Sequence, residues 1–109
     1  MAKTREELKR GIYQIAVVAL LDKEMYGYQL VRVMEEKGLP VEEGTLYPML
    51  RRLEDQGLLT SHWVLDGSRP RKHYQRTALG QVYLEGLQPF WQDLKRALDA
   101  IWSSGPPSI

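Results

Sequence analysis

The stretch EEGTLYPMLRRLEDQGLL, residues 42–59, decides the fold. Leu46, Met49, Leu50 and Leu53 recur at helical spacing, and Gly57 follows as a C-terminal stop, so the pattern predicts a helix over about 44–56. Proline is tolerated in the first turn of a helix, where its missing N–H has no intrahelical partner. Pro48 therefore places the N-cap near Gly44 or Thr45, and threonine is a competent cap. With the apolar residues inward, the outward face carries Gly44, Pro48, Arg51 and Asp55, flanked by Thr45, Tyr47 and Arg52. A helix that only packs into a core needs none of these. One lying against a polyanion uses small residues for close approach, hydroxyls for phosphates or base edges, and an arginine for a guanine edge or a phosphate.

The flanking sequence supplies more helices and then changes period. Apolar residues Leu8, Ile12, Ile15, Ala16, Ala19 and Leu20 predict a helix over 5–21 with one broad inward face. A second is expected over 27–37, with Leu30, Val33 and Met34 inward and Gly38 and Pro40 stopping it. LLTSHWVL (58–65) reads as a strand, DGSRP as a turn, and RKHYQRT as a returning strand. The last helix spans about 77–102, capped by Thr77. Leu87, Phe90, Leu94 and Ile101 keep a 3–4 rhythm, and Gly86 and Pro89 predict a bend or short break. Residues 103–109 read as a flexible tail. Tyr28 is assigned to the core, Trp63 to packing the hairpin on the helices, and Arg52 to pairing with Glu54 or Asp55. His62 and His73 read as polar strand residues.

A chain of 109 residues fits one domain with a modest core. It divides into a reading unit, 1–76, and a long C-terminal helix, 77–102. There is no cysteine, so disulfides, thiolate catalysis and cysteine-zinc sites are excluded. The two histidines match no metal spacing, and no cofactor is expected. No nucleophile with a plausible base, no metal cluster and no phosphate-binding glycine loop is present, which argues against an enzyme. No apolar run reaches the length of a membrane span, and no signal peptide is evident. A soluble cytoplasmic protein is expected. The formal net charge is only +1. GSRPRKHYQR (67–76), however, concentrates Arg69, Arg71, Lys72 and Arg76 without an acid, which points to a local anionic partner.

Three helices followed by a hairpin with a basic tip is the order of a winged helix-turn-helix: mainly α, with a small β-hairpin. In that fold the third helix enters the major groove and the wing reaches the adjacent backbone or minor groove. YGYQL at 26–30, EGTLYPMLRRLEDQGLL at 43–59 and RPRKHYQRTALG at 69–80 together resemble the PadR-like transcriptional regulators, over roughly residues 8–102. The short C-terminal segment resembles the smaller members, which have a single dimerisation helix. The resemblance implies a homodimeric repressor of a palindromic double-stranded operator, relieved by a small aromatic or drug-like ligand. The residues expected on DNA are Tyr26, Thr45, Tyr47, Arg51, Arg69, Arg71 and Lys72. Trp91, with Phe90 and Ile15 or Ala16, is expected to line a pocket for a planar aromatic ligand at the dimer axis. The competing reading is a winged-helix module that binds an acidic protein surface and reads no DNA sequence.

Overall fold

Leu53 and Leu58 close the third helix with a pair of hydrogen bonds that the glycine between them makes possible. Gly57 adopts φ +80°, its N–H donates to Glu54 O at 2.9 Å, and Leu58 N donates to Leu53 O at 3.0 Å. The second helix ends the same way at Gly38, φ +88°, with Leu39 N on Met34 O at 2.8 Å. In the computed structural model, which describes residues 2–104, the elements are α1 (Ala2–Leu20), β1 (Met25–Tyr26), α2 (Gly27–Glu36), α3 (Glu43–Asp55), β2 (Leu59–Asp66), β3 (Arg69–Arg76) and α4 (Ala78–Ser103). The expected order of helices and hairpin is present. The two-residue β1 adds a third strand, giving the antiparallel order β1-β3-β2.

The core lies where α1, α2 and α3 meet the base of the hairpin. Val17, Val18, Leu21, Leu30, Met34, Leu46, Leu50, Leu53 and Leu59 are fully enclosed, and Tyr74 closes the sheet side. Tyr13 is also buried and donates its hydroxyl to Pro40 O at 2.7 Å, which fixes the loop leading into α3. Arg76 ties α1 to β3, donating through Nη1 to Val18 O and Ala19 O at 3.2 and 3.0 Å. These are carbonyls that the C-terminal end of α1 leaves without helical partners.

Several expectations are corrected. The inward face of α1 is Tyr13, Val17, Val18 and Leu21, whereas Leu8, Ile12 and Ala19 are exposed. The C-terminal half of α1 is apolar all round, so periodicity alone does not select a face. Helix α3 begins at Glu43 with Glu42 as N-cap, so Pro48 sits in its second turn. Gly44, whose carbonyl Pro48 cannot bond, is an exposed residue of the helix. Helix α4 runs unbroken through Gly86 and Pro89 to Ser103. Glu85, whose carbonyl loses its partner at Pro89, is likewise solvent-exposed. Tyr28 is 48% exposed and Trp63 67% exposed, so neither serves the core. Arg52 forms no ion pair among the described residues. Of the expected tail, Ser103 ends α4, Ser104 caps it, and 105–109 lie outside the described residues.

Candidate nucleic-acid interface

Helix α3 buries Leu46, Met49, Leu50 and Leu53 and turns Gly44, Thr45, Tyr47, Pro48, Arg51, Arg52 and Asp55 to solvent. Tyr47 lies over the start of α2. Gly27 there is buried, and a Cβ on it would fall 2.5 Å from Tyr47 Cε1. Only glycine lets the phenol ring rest against the α2 backbone. Burial, followed by the charges of Glu43 and Tyr74, raises the Tyr47 pKa above its ordinary value, with Arg71 acting in the opposite sense. The hydroxyl is therefore a neutral donor at physiological pH.

From Tyr47 a groove of about 500 Å³ runs along the edge of β3 that β1 leaves unpaired. Tyr26, Tyr28, Glu43, Trp63, Arg69, Arg71 and Lys72 are among its lining residues. On the other side of Tyr47 a shallower recess is formed with Pro48, Arg51, Arg52 and Asp55. Tyr26, Tyr47, Arg69, Arg71 and Lys72 thus come together, Arg51 adjoins them through Tyr47, and Thr45 is exposed on α3 without lining either recess. Tyr28, expected in the core, and Glu43, not among the expected residues, also belong to this surface. The second tyrosine of YGYQL was the available signal.

The wing cations do not form one patch. Directly opposed residues share a face of an antiparallel pair, so the register puts Trp63, Leu65, Pro70, Lys72 and Tyr74 on one face. Val64, Asp66, Arg69, Arg71 and His73 lie on the other. Arg71 donates through Nε to Asp66 Oδ2 at 3.0 Å and stacks its guanidinium 4.3 Å from the Tyr26 ring centroid. Lys72 Nζ lies 3.7 Å from Glu54 Oε1. Arg76 is committed to α1. Arg69 has no carboxylate partner among the described residues. His62 and His73 face each other across the strands. Glu24 lies between them, 3.2 Å from His62 Nε2 and 3.5 Å from His73 Nδ1. Glu24 thus sets the loop before β1 beside the wing.

At the far side of the molecule, Trp91 on α4 meets α1 in two apolar recesses. One, of about 190 Å³, is lined by Ile12, Ile15, Ala16 and Trp91. The other, of about 250 Å³, includes Ile15, Ala19, Leu84, Leu87 and Trp91. Phe90 lines neither recess and is exposed, next to Trp91 in the chain.

Residues 17–86, which hold the end of α1, α2, α3, the wing and the start of α4, match the family described as "Transcriptional regulator PadR-like family". The chain belongs to the PadR-like family. The transcriptional regulator Rv3488 of Mycobacterium tuberculosis is 40% identical over 75 residues, 69% of this chain and 70% of that protein. A PadR family transcriptional regulator from Eggerthella lenta has the same fold at a TM-score of 0.83 and 39% identity, over 91% of this chain and 88% of that one. Bacillus subtilis PadR, solved in complex with operator DNA, matches at a TM-score of 0.65 and 26% identity. That match covers 70% of this chain and 46% of the Bacillus protein. As a PadR-like protein the chain is a transcriptional regulator and not an enzyme. No helix among its described residues is long and apolar enough to cross a membrane.

Proposed function

We propose that this PadR-like regulator binds a palindromic double-stranded operator in the cytoplasm as a homodimer, and represses until a small planar aromatic ligand releases it. The observation that carries the DNA reading is the position of Tyr47. It borders both the recess containing Arg51 and the groove containing Tyr26, Arg69, Arg71 and Lys72, so the outward face of α3 and the wing edge are one surface. Arg51 reaches base edges while the tyrosines and wing cations hold phosphates. Bacillus subtilis PadR, solved in complex with operator DNA, supports DNA as the partner.

Residues 1–76 form the reading unit, and 77–102 supply dimerisation. Phe90, Trp91, Leu94, Leu98, Ile101 and Trp102 leave an apolar stripe uncovered on α4, and Ile12 and Ala19 of α1 lie open nearby. A second subunit removes that stripe from water and doubles the DNA contacts across a two-fold axis. The recesses beside Trp91, with Ile15 and Ala16 in their walls and Phe90 adjacent on α4, receive the ligand. Release requires that the ligand bind the two dimer geometries with different affinity.

A second reading, a protein-interaction module, draws on the internal pairing of Arg71, Lys72 and Arg76, which leaves Arg69 as the wing arginine with no internal partner among the described residues. Selection of genomic fragments by the purified chain, with and without a panel of planar aromatic compounds, separates the two. Enrichment of a palindrome that the compounds abolish supports the repressor reading. Absence of any enriched sequence supports the interaction module.

A further inference from the structure

The wing carries an apolar feature that neither the core nor the α4 stripe uses. On the strand face that packs toward α3, Leu59 and Tyr74 are buried and Ser61 donates to Glu54. Further toward the tip the same face shows Trp63 and Leu65, 67% and 73% exposed, with Lys72 opposite Trp63 and Pro70 opposite Leu65. A tryptophan left in water on a hairpin forgoes the burial that usually justifies it, so these two side chains await an occupant.

We propose that Trp63 and Leu65 form a wedge that enters the minor groove of the operator, with Arg69 and Lys72 on the flanking phosphates. This inference rests on the DNA-binding reading and adds to it a second point of sequence selection. Two observations choose DNA over a second copy of the chain. Trp63 borders the same groove as Tyr26 and Tyr47, so the wedge continues the surface assigned to DNA. Lys72 lies directly opposite Trp63 on the same face, and Arg69 lines the same groove from the other face, which suits a polyanion and would oppose a like-charged copy. Apolar wedges in the minor groove partly unstack a base step and kink the duplex. The cost is lowest at pyrimidine–purine steps. The wing therefore selects a deformable step at its own footprint, away from the bases that α3 reads.

The test is fluorescence anisotropy on a selected operator fragment across a salt series, with the unsubstituted chain, Trp63→Ala, Leu65→Ala and Arg69→Ala. Trp63→Ala is expected to weaken binding about tenfold at every salt concentration with an unchanged log–log slope, because an apolar contact releases no counterions. Leu65→Ala behaves alike with a smaller loss. Arg69→Ala instead lowers the slope by about one. Replacing a TA or CA step under the wing with an A-tract weakens the unsubstituted chain and leaves Trp63→Ala indifferent. Thermal melts of the variants should match the parent, since both side chains are exposed. Trp63→Ala binding within twofold of the parent, or keeping the step preference, overturns the wedge while the DNA reading stands. If the unsubstituted chain binds no DNA, the underlying reading falls and the wedge with it.

Discussion

Tyr47 rests its ring on the backbone of Gly27, so close that a methyl group on Gly27 would meet Cε1 at 2.5 Å. The contact locks the first turns of α2 and α3 together at the head of the wing groove. Gly27→Ala should push the half-exposed Tyr47 ring outward at a cost of about 1 kcal/mol, measured by denaturant unfolding. Adding Tyr47→Ala should recover most of that loss. A double variant no more stable than Gly27→Ala alone would mean that the ring is not what the methyl meets.

Arg76 should prove to be structural. Its guanidinium serves Val18 O and Ala19 O at the end of α1. Arg76→Met should therefore lower stability by about 1 to 2 kcal/mol and leave the salt dependence of DNA binding unchanged for the folded fraction. A fall in slope by about one would move Arg76 onto a phosphate.

Asp66 pairs with Arg71 at 3.0 Å and competes with an external anion for its guanidinium. Asp66→Asn should free the guanidinium and remove a negative charge from the tip. Binding should tighten several-fold on all sequences about equally, since phosphate contacts carry little sequence information. The double change Arg71→Ala with Lys72→Ala should lower the salt slope by about one to two. An unchanged slope would take both residues off the DNA.

How much of this was legible in the sequence differs by element. Helix α3 was readable because its four buried positions and Gly57 are local signals, and the hairpin because DGSRP separates two strand-like runs. The strand β1 was not, since two residues carry no period and Met25 and Tyr26 are extended only because His73 and Tyr74 pair with them. The wing read as a uniform basic patch because its neutralising partners are not adjacent in the run. Asp66 lies across the turn and Glu54 on α3. Strand alternation also places Lys72 and Arg71 on opposite faces. For α1 the apolar run IAVVALL offers every face, and only packing chooses Val17 and Val18 for the core. Chemistry and order single out Tyr26, Tyr47, Arg51 and the wing cations as candidates; the seat that Gly27 gives Tyr47 is not legible in the sequence.

Trp91 borders both apolar recesses against α1. Titration with planar aromatic compounds should quench tryptophan fluorescence and release DNA in parallel, and Trp91→Ala should abolish both while the dimer persists in sedimentation. Quenching and release that survive Trp91→Ala would place the ligand elsewhere.

The central claim is that the outward face of α3 reads bases. The most direct measurement compares Arg51→Ala with the parent on a selected operator and on the same fragment with its palindrome scrambled. A base-reading Arg51 predicts a loss of about 1 to 3 kcal/mol on the operator and much less on the scrambled fragment. Equal losses on both, or none on either, would contradict it.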